Sequence, residues 1–558
     1  MSTLTATPRG SATGRASGSA RPRSLSTLVF ALWIACGAVI VVPLTAVVML
    51  ALSGGDFSVL LEEDMREAAV NSVVSATISG LFAVAFGTAL AILFDRTDLP
   101  GRNMLRLFAL SPMLVPPFVG AIAWLGVLGP ASPLNRWWAS FTGAPLWSLY
   151  GGDGVIFLLT VHSYPLAMLI MSAALRRIPS DLEQAARISG AGPARALTTV
   201  TLPLLRPALL SSFVLITVGN LADFGIPSII GLPERFTTLS TLVYRYLQSA
   251  TVDSPLTVVA TIGSVLLTVA VLSLVLDAVI SARGRRGVQF DVTGTIQRTP
   301  LGRWRRSLGM IVAIVVLGLT VLPLCALAMQ ALIRAPGLPF TMENITLDHF
   351  VTAISSSNTM TGATNSIMLA LGAALVCMVL GLAVGVVTTR TTLKSARGLQ
   401  ALTLVPQAIP GLVIAVAWLI IAPRIGLFNT PWLILCAYVT SFIALVVQAV
   451  VAPLQSTAAS AEESARIAGA GPVRALWDIS ARMALPAALS GGVIVAVTAV
   501  RELTLSVLLL SPGSQTLGVV IFNLQQAGAF GTAAALSLLV ALLGIAVIGF
   551  ATRSTARS

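Results

Sequence analysis

The chain has 558 residues, of which 56% are hydrophobic and only 10% charged, and its mean hydropathy is +0.92. A soluble globular domain carries roughly 25% charged residues, so composition excludes a soluble protein and points to an all-α polytopic membrane protein. The net charge of +13 is spread over short loops in the manner of orientation signals, and does not point to nucleic acid.

Residues 1–24 hold Ser, Thr, Gly, Ala, Pro and Arg without a single acid, the composition of a disordered tail. The apolar run from Leu25 to Leu52 is too long for a signal-peptide core and reads as an uncleaved first span. Further spans are predicted near 71–94, 107–129, 154–175, 207–230 and 256–280. A basic linker over 281–306 separates these from spans near 307–332, 364–388, 399–422, 431–454, 486–510 and 529–550. That makes about twelve transmembrane helices. They form a first unit over 25–280 and a second over 307–558.

With the amino terminus inside, 27 of the 34 basic residues fall on the same side of the membrane. The first loop on the other side holds Asp56, Glu62, Glu63, Asp64 and Glu67. The positive-inside rule therefore puts both termini in the cytoplasm. The two units are an internal duplication. Asn71-Ser72 matches Asn365-Ser366, Arg96-Thr97 matches Arg390-Thr391, and Pro112, Pro116 and Trp124 match Pro406, Pro410 and Trp418, all at an offset of 294. Six spans separate equivalent points, so the two repeats run parallel, unlike the inverted repeats of many secondary transporters.

The best-matched stretch is cytoplasmic. EQAARISGAGPARAL (183–197) and EESARIAGAGPVRAL (462–476) agree at 11 of 15 positions at an offset of 279. Ser180 and Glu183 have the spacing of a capping box. Gly190-Ala191-Gly192-Pro193 then stops the helix and starts another, since glycine tolerates the left-handed turn and proline fits a first helical turn. A short helix held on a loop suits docking into a partner's groove. Capping alone would account for one copy. It accounts poorly for the recurrence of Arg187, Ile188, Gly190 and Arg195 as Arg466, Ile467, Gly469 and Arg474. Recent duplication is a rival explanation, but the spans have diverged much further than these segments.

The pattern Glu183, Ala185-Ala186, Gly190, Leu202-Pro203 and Pro207 resembles the EAA loop of ABC-importer permeases. The second copy has Ser464-Ala465 and Gly469, but Arg482 stands where Pro203 would align. The resemblance implies two fused permease units. It implies that Glu183, Ala186, Arg187 and Gly190, with Glu462, Ala465, Arg466 and Gly469, belong to helices that couple to an ATPase. The implied partners are two copies of a cytoplasmic ABC ATPase and a periplasmic or lipid-anchored substrate-binding protein, with membrane lipids around the spans of a bacterial inner-membrane protein. The 222–227, 244–250 and 501–513 stretches look like the ferric-iron group, whose neighbours handle 2-aminoethylphosphonate, thiamine or polyamines.

A phosphate loop needs a lysine after glycine. The single lysine, Lys394, follows Leu393, and Thr388 occupies the first glycine position. ATP and magnesium are therefore expected on a separate subunit, with no cofactor and no catalytic site in this chain. The four cysteines form no CxxC pair, and no metal site is expected. Asp223 and Glu502 align at the offset of 279, with Arg501 beside the latter. Acids within spans face a bundle interior or a cavity, so these three are candidate pathway residues; the competing reading is an ion pair or hydrogen bond between helices, such as Glu502 with Arg501. An ion-coupled secondary transporter with parallel halves is the more distant alternative. It leaves the paired docking segments without a purpose.

Overall fold

The computed structural model describes residues 23–54, 57–249, 254–285, 298–391, 393–456 and 460–555. The expected tail over 1–24 lies almost wholly outside these residues, as do residues 286–297 of the basic linker.

In the first half, α1 (Ser26–Gly54) leads to α2 (Glu63–Arg96), α3 (Arg102–Leu110), α4 (Pro117–Leu128), α5 (Pro133–Thr142) and α6 (Gly152–Arg176). The short α7 (Ser180–Ile188) precedes α8 (Pro193–Leu221), α9 (Leu239–Gln248) and α10 (Pro255–Arg285). The second half repeats the order. It runs α11 (Arg305–Leu332), α12 (Asp348–Ser355), α13 (Ser357–Arg390), α14 (Lys394–Leu404), α15 (Gly411–Ile421), α16 (Pro431–Ser456), α17 (Ser460–Ile467), α18 (Pro472–Val500), α19 (Thr504–Leu508), α20 (Leu517–Gln526) and α21 (Phe530–Thr555).

Each of the twelve predicted spans has a helical counterpart, but they are not twelve plain rods. Ten helices among the described residues are long and apolar enough to cross a membrane, and a bent pair makes an eleventh. That pair, 394–408 and 411–425, turns through 107° at Pro410. Proline lacks the amide that would continue the helix and pushes the residue before it out of helical geometry. Pro116 breaks the equivalent place between α3 and α4. The predicted spans over 207–230 and 486–510 are also corrected, because their helices end at Leu221 and Val500. The apolar run continues past both ends, so hydropathy alone overshoots.

Within each half, α2 packs most extensively on α6, and α13 on α16. Close approach rests on equivalent glycines. A Cβ on Gly87 would lie 2.7 Å from the backbone nitrogen of Met168, and one on Gly381 would lie 2.7 Å from Val446 Cβ. Small residues let membrane helices approach where lipid offers no hydrophobic drive.

Between halves the packing is exchanged. The first and last spans of the second half, α11 and α21, lie against α4; α1 and α10 of the first half lie against α15. Accordingly α15 is buried nearly all round, including Leu412, Val413, Ile414, Ala415, Val416 and Trp418, as expected of a helix that is apolar on every face.

Candidate functional site

The two docking segments fold alike. In each, a helix of eight or nine residues ends in a glycine with positive φ, +89° at Gly190 and +92° at Gly469. Gly190 N donates to Arg187 O and Ala191 N to Ala186 O, at 3.0 and 2.9 Å. Gly469 N donates to Arg466 O and Ala470 N to Ala465 O, at 3.1 and 3.0 Å. This pair of bonds closes a helix end only when the residue after the last turn is left-handed, a conformation a Cβ disfavours. Pro193 and Pro472 then open the next helix at its first position.

The expected capping box is not what Glu183 forms. The N-cap of α7 is Pro179, and the Glu183 carboxylate turns inward. It accepts from Thr201 Oγ1 at 2.5 Å and lies 3.8 Å from Arg96 Nη1. Glu462 does the same with the equivalent partners: Arg390 Nε is 2.8 Å away, and the Ser480 hydroxyl donates to the same carboxylate oxygen. Arg96 also donates to the carbonyls of Leu175 and Ile178 at 2.8 and 3.0 Å. An ion pair among low-polarity neighbours draws both partners together more strongly than in water. The glutamates thus latch each short helix to the carboxyl-terminal end of α2 or α13. What faces outward is Ile188 and Ile467, each 88% exposed. The arginines were visible in the sequence as a repeated Arg-Thr pair, but only the fold shows that they are the glutamates' partners.

The two segments differ in one respect. Arg187 donates to the Thr299 hydroxyl, and Thr299 pairs with Thr97 in an isolated bridge, its amide donating to Arg96 O at 2.9 Å. The end of the linker is therefore sewn to the first docking segment. Arg466, the second-half equivalent, is exposed.

Asp223 and Glu502 do not lie within the spans as expected. They sit just beyond the ends of α8 and α18, where the backbone has freed amides. Asp223 Oδ1 accepts from Ile226 N at 2.8 Å. Glu502 Oε1 accepts from Leu505 N at 2.8 Å, and Oε2 accepts from Leu505 N at 2.9 Å and Ser506 N at 3.2 Å. Each acid thus starts the segment that follows it, as an N-cap does. Arg501 turns away from Glu502 and donates across the halves to the carbonyls of Met113 and Val115, at 2.6 and 3.0 Å. Those carbonyls lie at the break before α4.

Beyond each acid the chain returns through α9 or α20. The repeated Asn-Ser pairs hold these returns. Asn71 Nδ2 donates to Thr237 O at 3.0 Å, and Ser72 Oγ accepts from Leu239 N at 2.7 Å. Asn365 Nδ2 donates to Gly513 O at 2.8 Å, and Ser366 Oγ accepts from Leu517 N at 2.8 Å.

The two returns meet edge to face through Tyr244 and Phe522, ring centroids 6.0 Å apart, with Phe224 5.2 and 5.7 Å from the two rings. This is a favourable aromatic geometry. Leu239 and Leu517 are equivalent by their serine bonds, and so are Tyr244 and Phe522, five residues further on in each. Equivalent residues that touch mark the pseudo-two-fold axis between the halves, and on that axis Phe224 and Phe522 are fully buried. The aromatic cluster escaped the sequence reading. Its signal was the matching place of an aromatic in each return.

A duplicated membrane protein of parallel halves, with two matched helix-turn segments at one end and an aromatic cluster on its axis, is the class that this fold and site define. The chain belongs to the family of binding-protein-dependent transport system inner membrane components, whose model matches it twice, over residues 83–286 and 381–557. It is similar to the ferric transport system permease protein FbpB of Actinobacillus pleuropneumoniae, at 23% identity over 497 residues, covering 86% of this chain and 70% of the relative. It is 23% identical over 492 residues to the Fe(3+)-transport system permease protein FbpB 2 of Haemophilus influenzae, covering 87% and 89%. The molybdenum transport system permease protein ModB of Escherichia coli K12 is 29% identical over 195 residues, covering 34% of this chain and 83% of that protein. The chain is thus a fused two-unit permease of the type I ABC importer kind, a multi-pass membrane transport subunit of a family that works with ATPase and substrate-binding partners.

Proposed function

We propose that this permease imports ferric iron across a bacterial inner membrane, receiving it from a periplasmic or lipid-anchored receptor. In this reading two copies of a cytoplasmic ATPase, which carry the ATP and magnesium, dock on α7 and α17, and both termini are cytoplasmic. The observation that carries the reading is the matched pair of docking helices, each with a buried glutamate latch inside and a bare isoleucine outside.

The same geometry supports a route for movement. The latch arginines end α2 and α13, helices of 34 residues each. The Asn-Ser pairs lie on the same two helices some 24 residues, or roughly 36 Å, toward the other side. A pull on a docking helix is carried along α2 or α13 to the return segments and so to the aromatic cluster, which serves as the outer closure. Asp223 and Glu502 shape those returns, and Arg501 ties them to the other half; their role in the path is structural support at its outer end. Closure of the ATPases on ATP would part the aromatics, and hydrolysis would reset them, an alternation between two states biased by the nucleotide.

Iron as cargo is supported by the two ferric relatives, which match the fused layout across both halves. The test of coupling is the double substitution Gly190→Asp with Gly469→Asp. Left-handed geometry costs an L-residue about 1–2 kcal/mol at each site, so the docking turns distort while the spans stay folded. The expected result is loss of ATPase co-purification and of radioactive ferric uptake. Full uptake with the ATPase still bound would refute the docking reading. Wild-type uptake of molybdate or an organic phosphonate instead of iron would retain the mechanism and refute the cargo.

A further inference from the structure

At the end of the spans opposite the docking helices lies a cavity of about 450 Å³ between the halves. Its walls include Leu125 of α4, Ala326, Met329 and Gln330 of α11, Arg136 of α5 and Gln525 of α20. The size is that of a small-molecule site. Among the described residues, Arg136 is the one charged residue in its lining, which holds no acid. The Arg136 Nη atoms donate to the carbonyls of Gly337 and Leu338, which fixes the guanidinium in place. Its Nε is buried without a partner, and so is Gln525 Oε1. The guanidinium is half-buried, faces carbonyls alone and has unpaired polar atoms beside it, so its positive charge is left for an anion to answer.

The surroundings indicate the source of that anion. Trp137, Trp138 and Phe141 stand exposed on the same short helix as Arg136, their rings in mutual contact. Exposed tryptophans at the outer end of membrane spans sit at headgroup level. The cavity's apolar wall continues down α11, whose Val321 and Leu322 are exposed where acyl chains run. At headgroup level the anion a guanidinium meets is a lipid phosphate, which it binds through charge-assisted hydrogen bonds.

We propose that this cavity binds the headgroup of an outer-leaflet glycerophospholipid, with its phosphate on Arg136 and its acyl chains along α11. The bound lipid fills the seam between the halves at their outer end. This assignment is independent of the cargo and of ATPase docking.

The test uses the full chain in nanodiscs containing a phosphatidylglycerol with a photoreactive group on its acyl chain. Wild type is expected to label within 125–136 and 326–340. Arg136→Gln removes a charge-assisted bond, so labelling there should weaken about tenfold. Ala131→Trp, which blocks the cavity from an exposed position, should do the same, while Arg235→Gln on another loop should change nothing. Equal labelling of these segments in wild type and both cavity variants would overturn the proposal. So would displacement of the lipid by excess inorganic phosphate, which would assign the site to a free anion. Protection of the segments by a soluble exterior protein, without lipid labelling, would reassign it to a protein partner and likewise overturn the proposal.

Discussion

Ile188→Ala and Ile467→Ala test the docking helices with the least collateral damage. Each isoleucine is 88% exposed in the free subunit, so its removal leaves membrane packing as it was, and surface substitutions of this kind change stability by about 0.5 kcal/mol or less. Burying an isoleucine in a partner's groove is worth about 1.5–3 kcal/mol, and an alanine keeps only part of that. A loss of about 1.4 kcal/mol per site follows, or roughly a tenfold weaker complex for each substitution and a hundredfold for the pair. The two sites are far apart in the chain and share no partner, so the losses should add. The assay is titration of the purified ATPase onto the permease in nanodiscs, read by interferometry, with thermal unfolding of the permease as control. Unchanged affinity in the double variant, with the fold intact, would refute the claim that these side chains face the motor.

The latch gives a second expectation. Glu462→Gln leaves Arg390 buried without its counter-charge and should destabilise the second docking segment by about 3–5 kcal/mol. Adding Arg390→Gln should recover much of that loss, and a double-mutant cycle with no coupling energy would show that the pair does not act together. Glu183→Gln should cost less, because its pair spans 3.8 Å rather than 2.8 Å. Phe522→Ala should open the axis and raise receptor-independent leak of small solutes in proteoliposomes, while Phe522→Trp should stay tight; equal leak in wild type and the alanine variant would remove the aromatic cluster from the closure.

The duplication, the parallel halves and the place of both short repeated helices were legible because they rest on local patterns: apolar runs and two near-identical loops. The errors lie where a distant residue or a backbone break decides. Glu183 has the spacing of a cap, yet its charge partner, Arg96, comes 87 residues earlier and is brought close only by helix packing. Asp223 and Glu502 looked like acids inside spans because the apolar sequence runs on; the helices had already ended, and the freed amides of Ile226 and Leu505 take the carboxylates. Arg501 beside Glu502 suggested a pair, but the broken helix before α4 offers it two bare carbonyls instead. The Asn-Ser repeat was seen as a marker of duplication, and its work in holding α9 and α20 needed the fold.

The exchanged packing of α1 and α15 sets a problem of timing during synthesis. α15 leaves the ribosome roughly 350 residues after α1, which at 5–20 residues per second is about 20–70 s. For that interval α1 stands in the bilayer without its partner from the other half. The wait is harmless, because lipid tails are as apolar as the helix face that is still to come. A water-soluble protein with the same exchange would show a sticky surface for as long. The fused chain then guarantees that the late partner arrives, in equal number and beside the helix that awaits it.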